Sequence, residues 1–273
     1  MWGMRSFFSG DSYQTPRERG RPLLRFLAGG WRWSFYLQYG VEAIRSSLAA
    51  RQRLDSKAYS DEDWAESSAR VMNIIERNGG RFHVEGLDVL RDGAGQGPYV
   101  FVSNHMSTLE TQIYPVLIVP FMPVTFVVKQ ELMSHPFLGP ILRTRDPIPV
   151  ARQNARDDLK VVLEEGRRRL ERGMSLIIYP QSTRTPTFTR SAFNSLGTKL
   201  AANAGVKAVP VAVKSDFWGE HGRLRGFGPV RPERPIHIAF GQPVAVSGRG
   251  REAHQYVVEF IESRLSSWGA AIE

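Results

Sequence analysis

The chain has 273 residues, 42% hydrophobic and 23% charged, which is ordinary for a folded globular protein and excludes disorder over most of its length. It holds no cysteine, so disulfides, thiolate nucleophiles and cysteine-based zinc sites are excluded. Thirty-six Lys and Arg against 27 Asp and Glu give +9 at pH 7, a balance suited to an anionic partner: nucleic acid, a membrane surface or a phosphorylated substrate.

Residues 1–20 are polar, carry Pro16 and Gly20, and read as loosely ordered. They lack the apolar core of a secretory signal. Residues 21–54 are dense in Leu, Phe, Trp and Tyr, interrupted by arginines. Residues 1–60 together carry ten Lys or Arg against four Asp or Glu. Rings and arginines mixed with leucines suit the boundary between lipid headgroups and acyl chains, where arginines snorkel. An amphipathic helix packed on its own domain is the alternative, and Gly29–Gly30 interrupt the periodicity. No run of about 18 apolar residues free of charge suggests a membrane-crossing helix.

From residue 61 the pattern changes. "DEDWAESSARVMNIIERNGG" predicts a helix with an acidic first turn and a Gly79–Gly80 stop. Strands are predicted at "RFHVEGL" and "PYVFVSN", with the glycine-rich "RDGAGQG" as a hairpin-like connection between them. Further on, "PVTFVVKQ" predicts a strand, "HPFLGPILRTR" a short helix and "PIPVAR" a short strand. The segment "ARDDLKVVLEEGRRRLERG" predicts an amphipathic helix, followed by the buried strand "MSLIIYP". Then come the helix "FNSLGTKLAANAG", the strands "KAVPVAV" and "RPIHIAFGQPV", and a last helix from Arg251. This alternation implies an α/β fold, a central sheet flanked by helices.

Functional groups in such folds gather where strands end and helices begin. Two junctions stand out: "NHMSTLE" (104–110) and "YPQSTRT" (179–185). Inside one helix, His105 and Glu110 would lie about 140° apart. They can meet only if His105 precedes the helix and Glu110 sits in its first turn. A carboxylate accepting the Nδ1 proton would then leave Nε2 free to take a proton from an alcohol. The competing reading is a capping box, Ser107 to Glu110, with the glutamate reaching back to the Ser107 amide. Isolated histidines are more often structural than catalytic, and the other five form no metal-ligand spacing. In the second junction, hydroxyls at Ser182 and Thr183 with Arg184 could hold a phosphate, or Arg184 could make a surface ion pair.

Together these segments resemble the motif blocks of the PlsC-type glycerolipid acyltransferases. "NHMSTLE" is similar to that family's Asn-His-x4-Asp block, and "YPQSTRT" to its Phe-Pro-Glu-Gly-Thr-Arg-Ser block. "VKQEL", "FLGPILRTRDPIPVAR" and "VKAVPVAV" resemble other family elements in the right order, over residues 80–215 or so. The resemblance implies a mixed central sheet flanked by helices, preceded by amphipathic membrane-associated helices. It divides the chain into a membrane-interacting segment, 1–60, and a catalytic domain, 61–273. His105 would be the general base and Glu110 its orienting acid. Lys129, Arg152, Thr183 and Arg184 would bind the acceptor's phosphate, supported by Asn104, Gln181 and Ser182. The implied partners are a lysophospholipid acceptor, a thioester donor (acyl-CoA or acyl carrier protein) and a membrane surface at its cytoplasmic face; no metal or other cofactor and no nucleic acid are expected. The favoured acceptor is 1-acylglycerol-3-phosphate. Glycerol-3-phosphate, another lysolipid, or a non-catalytic lipid-binding role are the alternatives.

Three positions depart from the family pattern: Glu110 stands for aspartate, Gln181 for glutamate and Ser182 for glycine. Glu110 keeps its charge and gains about 1.5 Å of reach. Gln181 loses a charge, which bears on the choice of acceptor.

Overall fold

The computed structural model describes residues 8, 10–17, 30–54, 59–181, 183–219 and 228–273. Strands β1 (Ser12–Gln14), β2 (Phe82–Glu85), β3 (Tyr99–Ser103), β4 (Val124–Lys129), β5 (Ile148–Val150), β6 (Ser175–Ile178), β8 (Lys207–Lys214) and β9 (Ile236–Phe240) form one sheet in the order 1-2-9-8-3-6-4-5. The pairings β2–β9, β8–β3, β3–β6, β6–β4 and β4–β5 are parallel, whereas β1–β2 and β8–β9 are antiparallel. The sheet is therefore mixed, as expected. Strands β7 (Thr187–Phe188) and β10 (Ala271–Ile272) pair separately.

The helices are α1 (Gly30–Leu54), α2 (Asp61–Arg77), α3 (Leu87–Asp92), α4 (Leu109–Ile118), α5 (Leu138–Arg143), α6 (Ala155–Glu171), α7 (Leu196–Ala204) and α8 (Arg251–Ser267). Alternation along the central strands splits the core in two. Phe101, Ile177 and Val209 face the cluster that contains α2 and α4, while Val100, Val102, Leu176 and Ile178 face α6, α7 and α8. Side chains of successive strand residues point to opposite faces, so a strand buried on both sides must be apolar throughout. That is why "YVFV" and "LII" are unbroken apolar runs, and the serines at their ends, Ser103 and Ser175, are buried with their hydroxyls hydrogen-bonded.

Two expectations are corrected. The segment after β2 is not a hairpin connection: α3 occupies residues 87–92, and β9 and β8 separate β2 from β3 in the sheet. Burial of both faces of β3 puts it in the parallel interior, away from an antiparallel β2, and that outweighs the local glycine signal. Within the polar amino-terminal stretch, residues 12–14 form an edge strand on β2, anchored by buried Tyr13, whose hydroxyl donates to Glu76 at 2.7 Å.

Helix α2 begins where the sequence places it. Ser60 caps it, accepting from the Asp63 amide at 3.1 Å while Asp63 accepts from the Ser60 amide at 2.9 Å. Helix α1 starts at Gly30, and the predicted apolar stretch at 21–29 lies outside the described residues. Phe35 and Ala50 of α1 are fully buried in the same cluster as α2 and α4. Phe35 meets Trp218 edge-on at 4.9 Å, and Glu42, also buried, accepts from Arg70 at 2.9 Å. No helix among the described residues is long and apolar enough to cross a membrane.

On the far side of the sheet, His83 of β2 and His237 of β9 are register partners and stack at 4.9 Å, with Trp268 stacked beyond His237 at 5.1 Å. Burial, then His83 and Lys214, depress the His237 pKa to about 4, against an opposing pull from Asp216. A histidine depressed in the folded state binds its proton more readily when unfolded, so its contribution to stability is present above about pH 6.5 and lost as pH falls toward 4. Urea unfolding from pH 7 to 4 should show a steeper loss of midpoint in the wild type than in His237→Phe, which keeps a ring in the stack and cannot titrate.

Candidate active site

Strands β3 and β6 are parallel neighbours in register, Val102 opposite Ile178, so they leave the sheet side by side in the same direction. The two junction loops therefore lie together, although 76 positions separate His105 from Gln181. Strand β8, on the other side of β3, delivers Ser215 to the same end.

His105 precedes α4 and Glu110 lies in its first turn, the one arrangement that lets them meet. The Nδ1–H donates to Glu110 Oε1 at 2.9 Å; a carboxylate can only accept, so the proton is on Nδ1. The same Oε1 accepts from the Met106 and Ser107 amides at 2.6 and 2.9 Å. Capping and histidine-holding thus coincide on a single oxygen. The reciprocal half of the capping box is shifted, since the Ser107 hydroxyl accepts from the Leu109 amide at 3.0 Å. Oε2 accepts from the Ser215 hydroxyl at 2.7 Å, with Ser107 Oγ at 3.1 Å.

The Glu110 side chain is 0% exposed and that of His105 14%. Burial, the largest influence on Glu110, favours its neutral acid. The bond and attraction to His105, the Ser215 hydroxyl and the Ser107 amide together outweigh it and hold the carboxyl below the ordinary glutamate value. Among the described residues the imidazole Nε2 has no hydrogen-bond partner, and His105 lines a cavity of about 540 Å³.

The loop after β6 braces His105 from beneath. Its amide donates to the Gln181 side-chain oxygen at 3.0 Å, and its carbonyl accepts from the Thr185 amide at 2.9 Å. Gln181 Nε2 donates in turn to Thr185 Oγ1 at 2.7 Å. Both ends of the Gln181 amide are used, a pairing a carboxylate could make only as an acceptor. Tyr179 stacks on the imidazole, ring centroids 4.1 Å apart and planes 20° apart. Asn104 binds the β8 backbone at both ends, accepting from the Val213 amide and donating to its carbonyl at 2.8 Å each. It extends the β3–β8 ladder by one side chain.

The expected phosphate ligands divide. Lys129 and Arg152 are among the described residues lining the cavity, and Thr183 and Arg184 are not. Lys129 is 2.7 Å from Glu131, and Arg152 is exposed in a left-handed conformation, φ 57°, at the turn between β5 and α6. Thr183 is exposed on the loop, and Arg184 donates to the Thr108 hydroxyl at the foot of α4. Ser182 lies outside the described residues. Sequence reasoning missed Ser215, Tyr179 and two further cations of the cavity wall. One, Lys199 of α7, has no carboxylate partner among the described residues. The other, Arg145, is buried and engaged by the Asp61 carboxylate, the Tyr59 carbonyl and the Trp64 ring. The rest of the wall is largely apolar, including Trp64, Phe126, Leu138 and Leu142.

An acyltransferase family model matches residues 81–214, a span that holds both junctions and every lysine and arginine expected at the phosphate. Residues 81–214 are thus an acyltransferase-family domain. Within that family, a 1-acyl-sn-glycerol-3-phosphate acyltransferase of Pseudomonas aeruginosa is 27% identical over 208 residues, 76% of this chain and 74% of that one. A lyso-ornithine lipid O-acyltransferase of the same organism is 26% identical over 195 residues, 65% of this chain and 71% of that one. The crystal structure of the 1-acyl-sn-glycerophosphate acyltransferase PlsC from Thermotoga maritima superposes with a TM-score of 0.67 at 17% identity, over 88% of this chain and 95% of that one. The family fold is therefore present over most of the chain.

Removing the Ser215 hydroxyl should expose how far the buried carboxylate depends on it. Ser215→Ala is expected to lower the free energy of unfolding by about 1–3 kcal/mol, the cost of an unsatisfied buried acceptor, read as a shift in urea midpoint at pH 7.

Proposed function

We propose that the chain is an O-acyltransferase that moves a fatty acyl group from a thioester to the free hydroxyl of a lysophospholipid, with 1-acylglycerol-3-phosphate as the favoured acceptor. The observation that carries this reading is the His105–Glu110 pair at 2.9 Å, with Nε2 open at the wall of a largely apolar cavity. Nε2 takes the proton of the acceptor hydroxyl as that oxygen attacks the thioester carbonyl. The C–O bond forms, the C–S bond breaks, and the proton on the imidazolium passes to the departing thiolate. Glu110 fixes the ring and offsets the charge it gains. No covalent bond to the enzyme and no metal enter this sequence.

Lys129 and Arg152 are suited to receive the acceptor's phosphate, joined by Thr183 and Arg184 on the adjacent loop; the relatives named as 1-acyl-sn-glycerol-3-phosphate acyltransferases support a phosphate there. Gln181 serves in this reading as a strut between the loops, with Ser182 beside it, and the donor is acyl-CoA or acyl carrier protein. The 26% identity to a lyso-ornithine lipid acyltransferase favours a second acceptor for comparison, one without phosphate. His105→Ala should lower the rate of acylation by about 10²–10⁴-fold with the fold intact. Turnover by that variant equal to wild type would sink the proposal. Lipid mass spectrometry of products from both lysolipids with both donors identifies the acceptor.

The membrane is the proposed setting, at its cytoplasmic face, with residues 1–60 as the segment that meets it and 61–273 carrying the chemistry. Trp33, Leu37, Val41, Ile44 and Leu48 of α1 are 47–79% exposed. At 100° per residue they fall within an arc of about 80°, on the side of the helix opposite buried Phe35, Glu42, Ser46 and Ala50. Exposed Phe137 follows Pro136, whose carbonyl accepts from Arg51 of α1 at 2.6 Å, so it extends the apolar surface toward α5. A contiguous apolar stripe of this kind is the mark of an interfacial helix. The double variant Leu37→Glu, Ile44→Glu should lower partitioning onto vesicles containing phosphatidylglycerol by roughly 100-fold or more, since each apolar side chain returned to water costs about 1.5–3 kcal/mol. Vesicle sedimentation measures it, and equal binding by wild type and variant counts against this orientation.

A further inference from the structure

We infer that Tyr179 is a positioning residue for His105: its ring is the platform that sets the plane of the imidazole and steadies it when it becomes charged. The inference rests on the base role given to His105 under Proposed function, and it adds a second residue to Glu110 in orienting that ring.

Three observations carry it. The rings are face to face, 4.1 Å between centroids and 20° between planes, so the contact covers the imidazole rather than touching its edge. The hydrogen bond from Nδ1 to Glu110 holds one edge of the ring but, hydrogen-bond angles being soft, leaves the plane some freedom to tilt. A flat surface against one face removes that freedom. Tyr179 is itself held, because Tyr114 and Phe126 lie nearly parallel to it at 6.4 Å, with interplanar angles of 13° and 9°. The platform is thus part of a layered stack reaching from α4 to β4, and it does not move with His105.

The electrostatics point the same way. The face of a phenol ring is electron-rich and attracts a cation placed over it. The imidazole becomes a cation only after it takes the proton, so the attraction grows along the reaction and favours the charged state over the neutral one. Water is a poor competitor there, since the His105 side chain is 14% exposed.

The hydroxyl does not share in this. Tyr179 Oη is buried and has no hydrogen-bond partner among the described residues. Burial raises its pKa well above 10, with Tyr114 and Glu110 adding to the rise, so it stays neutral and supplies no proton. The ring therefore carries the function, and phenylalanine should serve as well as tyrosine.

The test uses the full-length protein with Tyr179→Phe and Tyr179→Leu. Tyr179→Phe should keep kcat within about twofold of wild type and melt at the same temperature or higher, because a buried unsatisfied hydroxyl is gone. Tyr179→Leu fills the space without a face. It should lose about tenfold or more in kcat, keep KM within about twofold, and move the acidic limb of its pH–rate profile to lower pH. A purely packing role would instead lower the melting temperature of Tyr179→Leu and leave kcat per folded molecule unchanged, and that result overturns the inference. A readout independent of turnover separates this inference from the acyltransferase reading. The His105 ring protons should show upfield ring-current shifts in NMR spectra of wild type and Tyr179→Phe, lost in Tyr179→Leu. Identical His105 resonances in all three proteins would refute the platform whether or not the protein acylates anything.

Discussion

A carboxylate cut off from water must draw all of its hydrogen bonds from the protein, and Glu110 is in that position. Two backbone amides, the Ser215 and Ser107 hydroxyls and an imidazole supply them. Each donor comes from a different constraint. The amides of Met106 and Ser107 require the chain to turn tightly after β3, which also starts α4. The Ser215 hydroxyl requires β8 to lie beside β3 and end at the same level. The imidazole requires His105 to stand outside the helix. Remove the charge and none of these arrangements has a common purpose; keep it, and the strand ends are locked around one point.

The sheet order is what makes this possible. A protein with β3 and β6 on separate edges would carry both motifs and no site. Parallel pairing in register brings "NHMSTLE" and "YPQSTRT" out together, and the helices split cleanly to the two faces so that neither covers the exit. Asn104 and Gln181 then tie the exit loops to β8 and to each other. They bear no charge and touch backbone as much as side chains. That explains how Gln181 can hold the two loops together using both ends of its amide.

Much of this was legible in the sequence because burial writes itself into residue type. Strands buried on both faces are apolar along their centres, and "YVFV", "LII" and "AVPVAV" could hardly be anything else. Helix geometry set the condition under which His105 and Glu110 can meet, and the family resemblance, rather than the local pattern, pointed to their pairing. Other features left no local trace. Ser215 is an ordinary serine after a strand, 105 positions from the carboxylate it serves. The edge strand at 12–14 buries one side chain of three, too little to show as a period. The glycines at 93, 95 and 97 signalled a turn correctly, but a turn says nothing about which strand comes next in the sheet. Capping and holding the histidine look in the sequence like tasks for separate oxygens of Glu110, whereas a single oxygen with several lone-pair directions meets both.

The order in which these contacts occur along the chain has a consequence for how the protein is made. His105 and Glu110 are five residues apart and can approach each other early, but Gln181 and Ser215 enter 76 and 105 residues later. Long loops must close before those contacts form, and such closures come late in folding. During synthesis, then, a nascent chain holds His105 and Glu110 well before it holds Gln181 and Ser215, which complete their hydrogen bonds. A glutamate waiting that long in a half-built site stays hydrated, so the charge enters the interior only when β8 arrives. The arrival of β8 is thus also the step that completes the hydrogen bonding of Glu110.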